Sequence, residues 1–355
     1  PESANVLLLG SGGREHAFAW KIAQSKRLAR LFIAPGNAGT ALCGTNVDIN
    51  PTNFGSVKQF VLSNNINLVV VGPEEPLVRG IYDFFCEDSQ ISNIPVIGPS
   101  ALGARLEGSK EFAKDFMTRH GIPTARYHMV DDFDGCMEFI KMVGWPVIVK
   151  PDNGVGASHT YRLSGEQELK NFLSEKETDV SYIMEEFIYA EINSYDAIID
   201  SHGEPLFETG NITPISIMDI VNNEDNAIFY ILKDLPEDTR KAGRATVKSF
   251  GVKSRFVHFE FFRLTKDQEG LGKKGSIVAL EVNMRPCGGF TPDMMNFAHS
   301  LDVYKIWADM IAFDKTEVRS KGHAYCAFAG RRDGKHFVYD DAQIREKYRF
   351  NLKMD

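Results

Sequence analysis

The first hundred residues alternate short apolar runs with stretches of helical hydrophobic spacing. Each apolar run leads into a glycine-bearing turn, and the runs are Asn5–Gly10, Leu31–Gly36, Asn67–Glu75 and Ile94–Ser100. Apolar positions three and four residues apart predict helices between them, over His16–Ser25 and Val57–Asn64. Strands separated by helices are typical of βαβ units, so this region is predicted to form a parallel sheet.

The pattern changes after about residue 100, where strands and helices are mixed. Residues 146–164 read as a strand, a glycine-rich loop and a second strand, and further strands are predicted within residues 180–188 and 191–207. The predicted class is therefore α/β, with an α+β second half. The predicted divisions are residues 1–100, 101–190 and 191–312, followed by a short C-terminal extension over residues 313–355.

The segment LEVNMRP, residues 280–286, carries a polar side chain at every second position. Because strand side chains alternate between faces, Glu281, Asn283 and Arg285 are predicted to share one face. Upstream, FVHFEFF places Glu260 within an aromatic strand, and a turn-rich connection predicts a hairpin that brings Glu260 beside Glu281. A Glu281–Arg285 salt bridge within one sheet is the structural alternative, but it leaves Glu260 and Asn283 unexplained.

These polar groups predict a site that binds a metal ion and stabilises negative charge on phosphate groups. Carboxylate and amide oxygens suit Mg²⁺, with Mn²⁺ as an alternative ion, so Glu260, Glu281 and Asn283 are the predicted ligands. Arg285 lies one step further along the same face, where it is predicted to act catalytically by stabilising developing negative charge.

Lys150 ends the apolar strand PVIVK and is followed at once by the loop PDNGVGAS. Its ammonium group is predicted to bind nucleotide phosphates and to assist catalysis, while the backbone amides of Gly154 and Gly156 cover them. The pattern is not a P-loop, since no G-K-[ST] follows the glycines. A hairpin loop with a surface lysine is the alternative.

The segment IMEEFIYAEINSY places several candidate nucleotide-binding groups after another apolar run. Extended backbone can bind an adenine edge, and a carboxylate can accept hydrogen bonds from ribose hydroxyls. Acidic residues that are simply solvated are the alternative interpretation. The candidate residues are Glu185, Glu186, Phe187, Ile188 and Glu191.

The first glycine turn, LLLGSGGREHAFAW, invites a dinucleotide-binding interpretation, but Glu15 stands where the fingerprint needs its third glycine. NAD binding is therefore not predicted. Gly12 and Gly13 would still let backbone N–H groups approach an anion at a helix N-terminus, with Arg14 able to pair with it. A tight β–α turn that binds nothing is an equally weighted alternative.

Composition narrows the class of protein. The chain has 355 residues, which favours two or three domains, and its net charge of −8 argues against nucleic-acid binding. No apolar run is long enough to span a membrane, and the N-terminus does not resemble a signal peptide. Five scattered cysteines without C-x-x-C spacing favour reduced thiols in a cytoplasmic protein and disfavour a zinc site. A monomer or a homodimer acting on small molecules is expected.

In their order and spacing, these motifs resemble those of ATP-grasp enzymes. The element E-x-N-x-R with an upstream F-E-F is the most specific of them. The resemblance implies a parallel-sheet pre-ATP-grasp domain followed by a two-lobed ATP-grasp fold. It also implies that Lys110 and Lys150 bind ATP phosphates, that Glu185 to Ile188 form the adenine hinge, and that Glu191 binds ribose.

Residues 4–127 resemble the glycinamide ribonucleotide synthetase (phosphoribosylamine–glycine ligase) family of purine biosynthesis. The motifs that carry the resemblance are VLLLGSGGREHAFAWKIA, APGNAGTA, VVVGPEEPLVRGI and VIGPSALGARLEGSKEFAKDFMTRHGIPTA. It implies ATP-dependent joining of glycine to phosphoribosylamine through an acyl phosphate. The residues that it implies for the phosphoribosyl substrate are Gly12, Gly13, Arg14, Asn37 and Glu74.

Beyond Tyr127 the motifs resemble the broader ATP-grasp carboxylate–amine ligases more closely. PDNGVGASHT stands where the synthetases have A-G-K-G-V, and EVNMRPCGGFTP where they have F-N-x-R-F-G-D-P-E. The halves could be a fusion, an engineered chimera or a divergent relative. Two alternatives therefore stay open: an amino-acid, peptide or carboxylase-type ATP-grasp enzyme with another acceptor, and a non-catalytic nucleotide-binding protein.

Overall fold

The computed structural model describes residues 3–153, 159–214, 226–332 and 334–354. The chain divides into two compact units, Pro1–Gly108 and Ser109–Asp355. Each unit has its own sheets and its own apolar clusters. Within the described ranges, no helix combines the length and the apolar character needed to cross a membrane.

The first unit is the parallel α/β fold that the alternating pattern predicts. Its strands are β1 (Ala4–Gly10), β2 (Leu28–Pro35), β3 (Thr45–Asn46), β4 (Leu68–Val71) and β5 (Val96–Ile97). Its helices are α1 (Gly13–Ala23), α2 (Phe54–Ser63), α3 (Glu74–Val78), α4 (Ile81–Glu87) and α5 (Ala101–Gly108), with a 3-10 turn at Thr40–Leu42. The strand order is β3–β2–β1–β4–β5, and all pairs are parallel.

Strand β1 is buried on both faces. Leu7 and Leu9 pack into one apolar cluster, and Val6 and Leu8 pack into another. Both sheet faces are thus covered, as in other parallel sheets, and polar groups collect where the strands end.

Two elements of the first unit differ from the predicted bounds. Strand β4 stops at Val71, because Gly72 and Pro73 lead directly into helix α3, whose first turn holds Glu74 and Glu75. The unit also continues to Gly108, since helix α5 packs on helix α3.

The second unit has an α+β organisation built on antiparallel strands. Its strands are β6 (Tyr127–Met129), β7 (Val147–Pro151), β8 (Tyr161–Leu163), β9 (Tyr182–Glu186), β10 (Ala190–Ile199), β11 (Pro205–Thr209), β12 (Asn211–Thr213), β13 (Ile228–Ile231), β14 (Arg255–Leu264), β15 (Ile277–Asn283) and β16 (Cys326–Ala329). Its helices are α6 (Lys110–Arg119), α7 (Phe133–Val143), α8 (Glu166–Glu175), α9 (Glu237–Ser249), α10 (Thr291–His299), α11 (Val303–Phe313) and α12 (Asp341–Tyr348).

These strands form two sheets. The smaller has the order β6–β9–β7–β8, and the larger has the order β15–β14–β10–β12–β13–β16, with β11 also paired to β10. Strand β16 lies beyond residue 312 yet pairs with β13, so the last segment contributes a strand to the larger sheet. The finer division of this unit at residues 190 and 312 stays a prediction.

The predicted hairpin of β14 and β15 is confirmed. The two strands are antiparallel, and Glu260 lies directly opposite Glu281. The register shifts by one residue between Glu260 and Phe261, which marks a β-bulge beside the two carboxylates.

Candidate active site

The larger sheet of the second unit presents a row of carboxylate and amide groups on strands β14 and β15. Glu260 and Glu281 face each other in register, and Asn283 lies opposite His258. The alternation of the sequence therefore places the three predicted metal ligands together, as expected for side chains with a period of two.

The two facing carboxylates differ in protonation behaviour. Burial and the neighbouring Glu260 charge raise the pKa of Glu281, although Lys150 and Lys110 oppose the shift. Burial alone would raise the pKa of Glu260 too, but His258, Lys150 and Arg285 outweigh it and lower that pKa. The pair is thus a concentrated negative site whose repulsion a cation would relieve.

Lys110 and Lys150 both supply positive charge that acts on Glu281. Asp152, just after β7, accepts hydrogen bonds from Glu111 N at 2.7 Å and from Ser109 Oγ at 3.0 Å at the start of α6. The Asp152 carbonyl accepts from Lys110 Nζ at 3.1 Å. Burial and the Lys150 charge lower the pKa of Lys110, although Glu281, Asp152 and Glu185 oppose the shift.

Arg285 follows β15 and is only partly buried. Its guanidinium donates to Asn283 Oδ1 at 3.3 Å and to the Pro286 carbonyl at 3.2 Å. The amide oxygen of Asn283 thus already accepts a hydrogen bond from Arg285. Five predicted groups meet here: Glu260, Glu281, Asn283, Lys150 and Arg285.

Glu185 is buried between two lysines instead of being solvated. Its Oε1 lies 2.8 Å from Lys150 Nζ and 3.4 Å from Lys114 Nζ. Burial would raise the pKa of Glu185, but the two ammonium groups outweigh burial and lower it. Burial also lowers the pKa of Lys114, whose side chain is only 2% exposed. The Glu185 side chain therefore positions Lys150 rather than facing outward.

The Glu186 carboxylate is also paired with a side chain of the same unit. Its carboxylate accepts from Arg126 Nη2 at 2.7 Å, Arg126 Nε at 3.1 Å and the Arg126 backbone N–H at 2.7 Å. The solvated alternative is therefore wrong for both Glu185 and Glu186, whose residues are 4% and 3% exposed. The remaining hinge candidates, Phe187 and Ile188, lie between β9 and β10, where Phe187 stacks under Arg162 and Ile188 is buried. Glu191, the ribose candidate, lies in β10 and is opposite Arg263 on β14.

The glycine loop after Lys150 is only partly within the described residues. Gly154 and Gly156, which are predicted to cover phosphates, lie outside the described ranges. The preceding Asp152 is described and buried, so the loop leaves β7 from an anchored position.

From the sequence the role of His258 stays open, with a structural role favoured over a catalytic one, and Asp196 is not singled out. His258 lies between Asp196 and Glu260, with Nδ1 2.7 Å from Asp196 Oδ1 and Nε2 3.1 Å from Glu260 Oε1. Burial opposes protonation, yet Asp196 and Glu260 raise the pKa of His258 to about 10. The spacing H-x-E within FVHFEFF was the available signal, since it places both side chains on one face.

In the first unit, the predicted substrate residues gather where the parallel strands end. Asn37 Nδ2 donates to the Ser11 carbonyl at 2.8 Å and to the Gly12 carbonyl at 3.2 Å. Arg14 Nη1 donates to the Gly72 carbonyl at 3.0 Å. Gly13 begins helix α1 and Glu74 begins helix α3.

Glu15 fills the space beside this first glycine turn. Its Oε2 accepts from the Gly12 N–H at 2.6 Å, and a Cβ atom on Gly72 would lie 2.1 Å from its Oε1. A larger residue at position 72 would therefore force the Glu15 carboxylate to move. The residue that breaks the dinucleotide fingerprint caps the helix instead.

Two family models match the chain over consecutive ranges. The model for the phosphoribosylglycinamide synthetase N domain matches residues 4–107, and the model for the ATP-grasp (A) domain of the same family matches residues 108–202. Residues 4–202 belong to the phosphoribosylglycinamide synthetase family. The match continues past Tyr127, where the close sequence resemblance was predicted to end.

Curated relatives agree with this family assignment. The phosphoribosylamine–glycine ligases of Pasteurella multocida and Haemophilus influenzae are both 39% identical to the chain over 212 residues, which is 57% of the chain. The alignment covers 48% of each relative, so the chain spans about half the length of the curated relatives that it matches.

Solved structures show that the fold extends over most of the chain. The phosphoribosylglycinamide synthetase of Anaerococcus prevotii aligns with a TM-score of 0.59 at 17% identity, covering 91% of this chain and 79% of that one. The biotin carboxylase domain of the Hydrogenobacter thermophilus 2-oxoglutarate carboxylase, solved with MgADP, ADP and bicarbonate, aligns with a TM-score of 0.62 at 17% identity, covering 92% and 74%. The predicted ATP-grasp fold is confirmed.

Proposed function

We propose that the chain is an ATP-dependent carboxylate–amine ligase that joins glycine to phosphoribosylamine through an acyl phosphate. The observation that carries the proposal is the facing pair Glu260 and Glu281, with Lys150 and Arg285 around it. A cation would compensate the two carboxylates, and a polyphosphate would in turn bind that cation and Lys150. The family of residues 4–202 supports the choice of substrates.

The oxygen donors fit Mg²⁺, since two carboxylates and one amide oxygen form a hard-ligand set. Glu260, Glu281 and Asn283 would hold the ion, and Mn²⁺ could occupy the same ligands. When bound, the ion neutralises charge on the phosphates of ATP. The neighbour solved with MgADP supports this assignment.

The nucleotide would lie beside these groups in the second unit. Lys110 and Lys150 bind its phosphates, together with the backbone amides of Gly154 and Gly156. Phe187 and Ile188 offer backbone groups to the adenine, and Glu191 accepts from the ribose hydroxyls. Glu185 and Glu186 act through Lys150 and Arg126, because their carboxylates already hold those side chains.

The chemistry then proceeds in two steps. The substrate carboxylate attacks the γ-phosphorus of ATP, the bond to the β-phosphate oxygen breaks, and ADP leaves. The amine attacks the acyl carbon, phosphate leaves with the bonding pair, and the amine loses a proton. Lys150 stabilises the phosphoryl group, and Arg285 stabilises the negative charge that develops.

The first unit would bind the phosphoribosyl substrate through Gly12, Gly13, Arg14, Asn37 and Glu74. Backbone N–H groups of the α1 turn and the Arg14 guanidinium are suited to an anionic group. The proposed partners are small molecules in the cytoplasm, and the proposed oligomeric state is a monomer or a homodimer.

The decisive experiment is an acceptor panel with ADP release as the readout. The first arm contains phosphoribosylamine with glycine. The second contains other amino acids as both carboxylate and amine donors, and the third contains bicarbonate in place of the substrate carboxylate. We expect ADP formation to depend on both phosphoribosylamine and glycine. ADP formation with amino acids alone, or with bicarbonate, would instead assign a different ATP-grasp ligase or a carboxylase-type enzyme. ATP binding without ADP formation under any condition would overturn the enzymatic proposal.

A further inference from the structure

A chain of buried hydrogen bonds crosses the larger sheet and ends on Glu260. The Asn211 N–H donates to Ser194 Oγ at 2.9 Å, and Ser194 Oγ in turn donates to Asp196 Oδ2. Asp196 Oδ1 lies 2.7 Å from His258 Nδ1, and His258 Nε2 lies 3.1 Å from Glu260 Oε1.

The strand register explains why this chain exists. On β10 and β14, Asp196 lies opposite His258, and Ser194 lies opposite Glu260. Asp196 and Ser194 are 0% and 1% exposed, and His258 is 9% exposed. Groups buried so deeply hold fixed positions only when each is hydrogen-bonded, as these are.

Glu260 needs such a partner because Glu281 faces it across the two strands. Like charges on facing strands repel each other in a partly buried site. Without a hydrogen-bond partner, the Glu260 carboxylate would therefore rotate away from Glu281. The His258 ring contacts Glu260 through Oε1.

We propose that His258, held by Asp196, is a positioning residue that keeps the Glu260 carboxylate directed toward the metal. The inference rests on the proposed function, since it assumes that Glu260 binds Mg²⁺. Hydrogen-bond partners of metal-binding carboxylates typically change metal affinity by about 10- to 100-fold when they are removed.

Two nearly isosteric substitutions separate positioning from simple packing. In His258→Asn, the amide lies near the position of Nδ1, so the variant keeps a contact to Asp196 and loses the contact to Glu260. In His258→Gln, the amide reaches the position of Nε2, so the variant keeps the contact to Glu260. Mg²⁺ is titrated calorimetrically into each full-length variant in the presence of ADP, and thermal unfolding without metal is measured alongside.

We expect His258→Asn to weaken Mg²⁺ binding by about 10- to 100-fold and His258→Gln by less than about threefold. Unfolding midpoints without metal should fall similarly for both variants. Equal Mg²⁺ affinity in all three proteins, or equal loss in both variants, would overturn the positioning role while leaving the proposed function intact. A wild-type chain that takes up no Mg²⁺ with ADP would overturn the proposed function itself.

Discussion

The two units use polar side chains at their strand ends in different ways. In the first unit, Asn37, Arg14 and Glu15 bind backbone carbonyl or N–H groups of neighbouring turns. In the second unit, Glu185 and His258 contact other charged side chains. The contacts in the first unit fix the conformation of loops, whereas those in the second unit fix the charge balance of the site.

The difference predicts which properties a substitution in each unit should change. Substitutions at the first strand ends should change loop geometry and binding with little pH dependence. Substitutions at the second site should change charge balance, so their effects on turnover and stability should be larger.

The largest effect is expected for Glu281→Gln. The substitution removes a proposed metal ligand while preserving shape, so ADP formation should fall by roughly a thousand-fold. The unfolding midpoint should stay equal or rise, because the repulsion with Glu260 is lost. Glu317→Gln, at an exposed position, is the matched control and should leave turnover unchanged. Full activity of Glu281→Gln would exclude Glu281 as a ligand.

The next effect is expected for the buried lysine at position 114. Lys114→Met leaves Glu185 with one cationic partner instead of two, and breaking a buried ion pair costs about 3–5 kcal/mol. Denaturant unfolding should show this loss, and the double variant Lys114→Met/Glu185→Gln should recover part of it. The exposed Lys315→Met is the control. A double variant whose loss equals the sum of the losses of Lys114→Met and Glu185→Gln alone would show that the two side chains are not coupled.

A pH effect is expected in the second unit away from the site. Burial and the neighbouring His323 lower the pKa of His299 to about 4. An unfolded chain binds this proton near pH 6.5 and the folded chain does not, so the contribution is complete above pH 6.5 and is lost toward pH 4. Between pH 7.5 and pH 5 the loss is about 2 kcal/mol.

His299→Gln should remove that part of the pH dependence, because glutamine can keep the contact to Thr209 without titrating. The measurement is denaturant unfolding at the two pH values, with the exposed His336→Gln as the control. An unchanged slope in His299→Gln would assign the effect to another group.

The smallest effect is expected in the first unit. Asn37→Ala removes donors to Ser11 and Gly12 and acceptors for the N–H groups of Gly39 and Thr40. We expect a loss of about 1–2 kcal/mol that is constant from pH 5 to pH 8. The KM for phosphoribosylamine should rise more than kcat falls. Asn37→Asp keeps the acceptors and is the matched variant; a strongly pH-dependent loss in Asn37→Ala would break the contrast between the units.

Local periodicity was sufficient to predict part of the site. Alternation along residues 280–286, together with the aromatic strand around Glu260, predicted that Glu260 faces Glu281, because strand pairing preserves a period of two. The parallel sheet of the first unit followed similarly from its repeated strand and helix pattern.

The partners of the buried charges could not be predicted in that way. Asp196 and His258 are separated by 62 residues, and only the pairing of β10 with β14 brings them together. Lys114 reads as one polar residue of an amphipathic helix, and nothing local shows that it meets Glu185. In the sequence, Glu15 indicates only that the third glycine of the fingerprint is absent. Its capping role depends on the geometry of the turn.

The contact between Thr124 and Ala279 bears on how the second unit assembles during synthesis. Thr124 Oγ1 donates to the Ala279 carbonyl across 155 residues of sequence, next to the strand that carries Glu281. Contacts so distant in sequence form late, because a long loop must close before they are gained. We therefore expect the parallel sheet of the first unit to emerge and fold while the ribosome is still adding strands β14 and β15. The Thr124 contact to β15 would then form only after the first unit has folded.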